Sequence, residues 1–166
     1  MISLAVKVDI STAKPDEIDT VLGILDEAAA WIITNNLPSV WKPGEFSHQT
    51  FLDQIAQDEV YLASVDGIAV GTFVLQWSDS FWWGERSSEA GYFHKFAVRP
   101  LLAGRGIGLE MLRWAEQRTR SAGKKFFGST VILTGLYDPL TMFFETRRRM
   151  ISDEPSPMVL RRASLQ

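Results

Sequence analysis

The sequence has 166 residues, 46% of them hydrophobic, enough for one compact domain with a core and too few for two ordinary ones, so a single domain over residues 1–166 is expected. Seventeen Lys plus Arg against twenty Asp plus Glu leave a net charge of -3, so no overall positive field draws in nucleic acid or an anionic membrane, and neither is expected as a partner. The absence of Cys excludes disulfides, thiolate metal sites and a cysteine nucleophile, and with only two His no metal is expected.

Ala5 to Ile10 alternates apolar and polar residues as a short strand does, and Ser11 to Asp16 then supplies turn and capping chemistry. Ile18, Val21, Leu22, Leu25, Ala28, Ala29 and Ile32 recur at spacings of three and four, which predicts a helix to about Asn35 with one apolar face. The longest apolar run, Ala28 to Ile33, falls far short of the roughly 20 residues of a membrane span. No basic segment followed by an apolar one opens the chain, so a cytoplasmic protein is expected. Leu37-Pro38 through Pro43-Gly44 breaks the helix, and Ser47 can cap a second one carrying Phe51, Leu52, Ile55 and Ala56.

Val60 to Ala63 and Ile68 to Trp77 flank Asp66-Gly67, a strong hairpin signal. Ser78 to Ser88, polar apart from Phe81-Trp82-Trp83, reads as a loop, and Ala90 to Val98 as a strand stopped by Pro100. Gly104 to Ala122 carries Ile107, Met111, Leu112 and Ala115 at helical spacing, with Gly123 placed to end the helix. Phe126 to Leu133 reads as a strand, Asp138-Pro139 as the start of a helix to about Arg148, and Met158 to Arg161 as a last short strand. The order β-α-α-β-β-β-α-β-α-β, with hairpin strands before a crossover helix, predicts an α+β fold with a mixed, mostly antiparallel sheet flanked by helices.

The chemistry concentrates between His94 and Leu112, where a strand, a glycine-dense turn and a long helix follow one another. Gly104, Gly106 and Gly108 let the backbone turn several N–H groups toward one point, where the helix N-terminus adds its partial positive charge. Such a nest suits a phosphate or pyrophosphate. A dinucleotide turn would need its third glycine where Leu109 stands, and the Lys-Ser or Lys-Thr of a P-loop is missing.

Phe96-Ala97-Val98-Arg99-Pro100 followed by Gly104-Arg105-Gly106-Ile107-Gly108 resembles the signature of the GNAT superfamily of acyl-CoA-dependent N-acetyltransferases: a strand ending Leu-Ala-Val-x-Pro, then Gln or Arg-x-x-Gly-x-Gly or Ala, then a helix. One position departs, since Ala103 stands where that superfamily carries Gln or Arg. Tyr92-Phe93-His94-Lys95-Phe96-Ala97-Val98 is similar to a branch reading Tyr-x-His-Arg or Lys-Leu-Ala-Val. The resemblance implies acetyl-CoA as co-substrate, no metal, and direct transfer of the acetyl group to a primary amine, most simply of a small molecule. It implies that the backbone of Phe96, Ala97 and Val98 pairs with the pantetheine arm, and that Ala103, Gly104, Arg105, Gly106, Ile107 and Gly108 surround the pyrophosphate.

An amine must lose a proton to attack, which calls for an imidazole or carboxylate close by. His94 and Glu89 are the candidates, although His94 could equally be a packed, hydrogen-bonded histidine and Glu89 a solvated carboxylate at the strand's start. On simple alternation, His94 shares a strand face with Tyr92, Phe96 and Val98. By resemblance, Trp41, Trp82, Trp83 and Tyr92 could wall the acceptor pocket, and exposed Trp would also ease formation of a homodimer; core packing explains Trp as well. Arg147-Arg148-Arg149 complements a helix C-terminus better than it marks a nucleic-acid patch.

Past Lys125 the resemblance weakens. Phe143-Phe144-Glu145 puts Phe144 where the superfamily carries a Tyr that can protonate the leaving thiolate, which leaves Tyr137 as the nearest hydroxyl candidate. An acyl-CoA-binding regulatory or vestigial domain is therefore the alternative reading. Phe127 to Thr134 can also be back-translated with codons that, read two bases later, spell Arg-Leu-Asp-Cys-Tyr-Ser-Asp, so a shifted frame would account for the tail, and the coding DNA tests it.

Overall fold

Val21, Ile24, Leu25 and Ala29 are fully buried and Ile18 nearly so, all on one side of a helix spanning Ile18–Thr34, α1, preceded by a short strand, β1, at Asp9–Thr12. The structure, a computed structural model, describes residues 6–37, 41–79, 89–131, 140–145 and 159–162, with side chains described up to residue 128. Helix α2, His48–Ala56, starts where the sequence predicts, with the Ser47 hydroxyl accepting from the Thr50 N–H at 3.2 Å. Strands β2, Val60–Val65, and β3, Ile68–Gln76, form the expected hairpin. Asp66 and Gly67 both take positive φ, 50° and 78°, as a tight two-residue turn requires.

Strand β4 runs from Ala90–Val98, α3 from Ile107–Ser121, β5 from Phe126–Val131, β6 from Leu140–Glu145 and β7 from Val159–Arg162. Among the described residues the strands follow one another across the sheet in chain order. The pairs β1–β2, β2–β3, β5–β6 and β6–β7 are antiparallel and β4–β5 is parallel, giving the mixed, mostly antiparallel α+β arrangement that the sequence predicts. No helix among the described residues is long and apolar enough to cross a membrane.

Two expectations need correction. The helix predicted from Asp138 to about Arg148 gives way to strand β6 over Leu140–Glu145, in register with β5 from Val131↔Leu140 to Phe126↔Glu145, so among the described residues the order ends β-β-β rather than β-α-β. Thr141, Phe143 and Phe144 favour a pleated strand, and this preference with a neighbouring ladder outweighs the Asp-Pro start signal. The first strand lies later than Ala5 to Ile10 because pairing rather than alternation sets it: Ser11 and Thr12 oppose Leu62 and Tyr61, and the Ala13 N–H continues to the Val60 carbonyl at 2.8 Å.

The chain divides into two compact units, Met1–Val74 with Lys95–Trp114, and Leu75–His94 with Ala115–Gln166. In the first, the inner face of α1 and the α2 residues Phe51 and Ile55 pack on Val60, Leu62, Val74 and Ala97. Tyr61 stacks on Phe73 at 5.1 Å and meets Trp114 at 5.0 Å. Gly71 allows the helix to approach β3, for an added Cβ would lie 2.7 Å from Met111 Sδ and 2.9 Å from the Ala97 carbonyl. In the second, Phe93 packs on Phe127, and Gly91 leaves room for Thr119, whose hydroxyl donates to the Ala115 carbonyl at 2.8 Å.

Candidate functional site

Within the first unit, the end of β4 is anchored on its neighbours. The Arg99 N–H donates to the Val70 carbonyl at 2.8 Å and its Nε to the Ala69 carbonyl at 2.9 Å, while its guanidinium pairs with Glu27 on α1. Pro100–Leu102 makes a single 3-10 turn. The exposed segment from Ala103 to Gly106 then carries Gly104 and Gly106 at φ 79° and 81°, left-handed values that favour glycine. Gly106 supplies the carbonyl that accepts from the Glu110 N–H at 3.1 Å, so it stands at the start of α3. The first-turn N–H groups of a helix have no intrahelical acceptor, and with the helix dipole they form an anion-binding end.

Gly108, inside α3, is needed for a different reason. A Cβ there would lie 3.0 Å from Phe96 Cζ and 3.7 Å from Val98 Cγ2, so its absence brings the first turn of α3 against the Phe96–Val98 segment. Ile107 and Met111 are buried beneath it, whereas Arg105 is exposed. Phe96, Ala97, Val98, Gly104, Arg105, Gly106, Ile107 and Gly108 thus belong to one unit and one strand–turn–helix arrangement. Ala103 lies beside them, its N–H already donating to the Pro100 carbonyl at 3.2 Å.

Lys95 takes φ 47°, a left-handed conformation within β4, with its Nζ 5.0 Å above the Phe51 ring. This irregularity breaks the two-residue alternation on which a shared face for His94 and Phe96 depends.

In the second unit, His94 Nε2 stands 3.0 Å from Asp79 Oδ2, and only 14% and 8% of the two side chains are exposed. Sequence reasoning missed Asp79: a lone acid at the edge of a polar loop gives no signal that it meets a residue of β4. Glu89 Oε1 pairs with Lys125 Nζ at 2.7 Å in a half-exposed contact, and the Glu89 carbonyl accepts from the N–H groups of Lys125 and Phe126. Glu89 therefore clamps the entries of β4 and β5. Tyr92 is buried. In the first unit, Trp41 sits edge-on to Phe46 at 5.5 Å, and Phe46 to Phe51, against the α1–α2 core. Trp82, Trp83 and Tyr137 lie outside the described residues. Among those described, no group of three potential ligands could hold a metal ion.

Comparison with solved structures finds the same fold. An acetyltransferase of the GNAT family from Listeria monocytogenes aligns with a TM-score of 0.68 at 17% identity, over 81% of this chain and 83% of that one. The PaiA N-acetyltransferase of Thermoplasma acidophilum, solved in complex with coenzyme A, aligns at 0.63 and 14% identity over 77% and 81%. YncA of Salmonella typhimurium, solved with its cofactor acetyl-CoA, aligns at 0.58 and 16% identity over 77% and 72%. No curated protein matches the sequence. The model of the acetyltransferase (GNAT) family matches residues 27–134, a span that runs from the second half of α1 through β5 and takes in the whole strand–turn–helix arrangement. The chain belongs to the acetyltransferase (GNAT) family.

Proposed function

We propose that the chain is an N-acetyltransferase that uses acetyl-CoA to acetylate a primary amine of a small molecule by direct attack in a ternary complex. The observation that carries this reading is the turn from Gly104 to Gly108, with two left-handed glycines leading into α3 and a third that lets the helix lie against Phe96. Family membership and neighbours solved with coenzyme A or acetyl-CoA support it. Bound acetyl-CoA would supply an activated acetyl group: the amine forms the C–N bond as the C–S bond breaks, one proton leaving nitrogen and one reaching the departing sulfur.

The chain's own residues take three roles. The N–H groups of Gly104 to Gly108 hold the pyrophosphate, with Arg105 adding an exposed charge beside it. The backbone of Phe96 to Val98 pairs with the pantetheine arm as an added strand would, and an N–H from this segment stabilises the oxyanion that develops on the thioester carbonyl. His94, two positions before Phe96 in the chain, takes the amine's proton directly or through water. Burial favours His94 over Glu89, whose carboxylate is half-exposed and already paired with Lys125.

The strand conformation of Leu140–Glu145 favours one second reading. The segment that carries Phe144 in place of the superfamily's Tyr is a strand rather than the expected helix, so a domain that binds acyl-CoA without turnover is the competing account. Calorimetry with acetyl-CoA and a thiol-release assay over an amine panel separate the two. Binding with turnover on at least one amine supports the enzyme; binding without thiol release on any amine supports the second reading, and no binding removes both.

A further inference from the structure

The exposed turn that leads into α3 has few holds of its own. Pro100 has no N–H to donate, Leu101 is almost fully exposed, and a Cβ built at Gly104 or Gly106 meets no described atom within 4 Å, chain neighbours aside. Two backbone bonds described within the turn are local: the Leu102 N–H donates to the Arg99 carbonyl at 2.9 Å and the Ala103 N–H to the Pro100 carbonyl at 3.2 Å. The first of them ends on Arg99.

Arg99 in turn grips two further elements. Its backbone N–H donates to the Val70 carbonyl at 2.8 Å and its Nε to the Ala69 carbonyl at 2.9 Å, both on β3, while its Nη1 donates to Glu27 Oε1 on α1, the helix beside the 3-10 turn. Less than a third of the Arg99 side chain is exposed. A guanidinium is a rigid planar fork, so bonds from Nε and Nη1 to two different elements fix its orientation, whereas a lysine ammonium donates from a single point. Asp26, the acid next to Glu27, is engaged elsewhere, its Oδ1 accepting from the Gly44 N–H at 2.8 Å. All of these residues belong to the first unit.

We propose that Arg99 is a positioning residue for the acyl donor: held between Glu27 on α1 and Ala69 on β3, it fixes the start of the turn whose amides, from Gly104 to Gly108, hold the pyrophosphate. This role rests on the reading of that turn as the donor site. A part-exposed ion pair by itself contributes little; the effect comes from the fork, which sets where several amides stand at once. Contacts to the pyrophosphate act equally on ground and transition states, so loosening them should raise KM for acetyl-CoA and spare kcat.

Amide hydrogen exchange and calorimetry with acetyl-CoA, both on the full chain, test the role. Arg99→Met keeps an unbranched stem and removes the fork, and Arg99→Lys keeps the charge alone. In both, exchange of the backbone N–H groups of residues 99 and 102 should speed up about fivefold or more while exchange in α2 and β2 stays at the parent rate. Affinity for acetyl-CoA should fall about fivefold, and on any amine that is turned over KM should rise with kcat within about twofold. Glu27→Ala should act in the same direction by about threefold, and Asp26→Ala, which cuts the other α1 contact, should change neither reading. Unchanged exchange or affinity in Arg99→Met, parent-like behaviour of Arg99→Lys, or an equal loss in Asp26→Ala overturns the role and leaves the donor site standing. Should Arg99→Met not fold, Glu27→Ala, altered at a half-exposed helix position, decides by the same readings. No binding of acetyl-CoA by the parent protein removes the donor site and this role with it.

Discussion

Gly106 concentrates two demands on one position, a φ of 81° and a place at the start of α3. Among the described residues, its chain neighbours aside, no atom lies within 4 Å of a Cβ built there, so the expected cost of Gly106→Val is the left-handed backbone, about 1–2 kcal/mol, together with crowding of a ligand held by the neighbouring amides. Acetyl-CoA affinity measured by calorimetry should fall by about tenfold or more. Arg105→Ala keeps those amides and should weaken binding by no more than about threefold, as expected for an exposed charge; a larger effect than Gly106→Val would show that the turn is misassigned. His94→Gln should retain acetyl-CoA binding while turnover falls, and the acidic limb of the pH-rate profile should disappear. The sequence makes the glycines legible because their spacing is local, and His94 because its neighbours spell a motif. Asp79 is illegible in it, since its 3.0 Å contact is made between β4 and a residue beyond β3.

At the scale of elements, caps and turns carry the most information. Ser47, Asp66-Gly67, Pro100 and Gly123 each sit at the boundary that their chemistry dictates, and Gly123 takes φ 74° while the Lys124 N–H reaches back to the Thr119 carbonyl at 3.2 Å. Two features escape such reading. The left-handed residue in β4 is a lysine, so no glycine announces it, and β6 is decided by its ladder with β5 rather than by its own start signal. Lys95→Ile should therefore destabilise the protein in urea by about 1–3 kcal/mol more than Lys95→Gly, since a β-branched residue tolerates this backbone least; equal midpoints would argue against the irregularity. Gly71→Ala places a Cβ against Met111 and the Ala97 carbonyl, and should cost about 1–3 kcal/mol by overpacking, read from the same urea curves.

For the molecule as a whole, the family match ends at residue 134, and β6 with β7 lies beyond it. The parts assigned to acetyl-CoA, from Phe96 to Gly108, fall inside the match and inside one compact unit. Binding of the acyl donor is therefore expected to be independent of how the tail contributes, whereas turnover, with His94 proposed as the base, is expected to respond to changes in the second unit, which holds His94. Isothermal titration of the full chain with acetyl-CoA tests the donor site most directly. One site per chain is expected, with a dissociation constant in the micromolar range and an affinity reduced at least tenfold in Gly106→Val; no heat of binding at millimolar acetyl-CoA, or equal affinity in the folded variant, would contradict it.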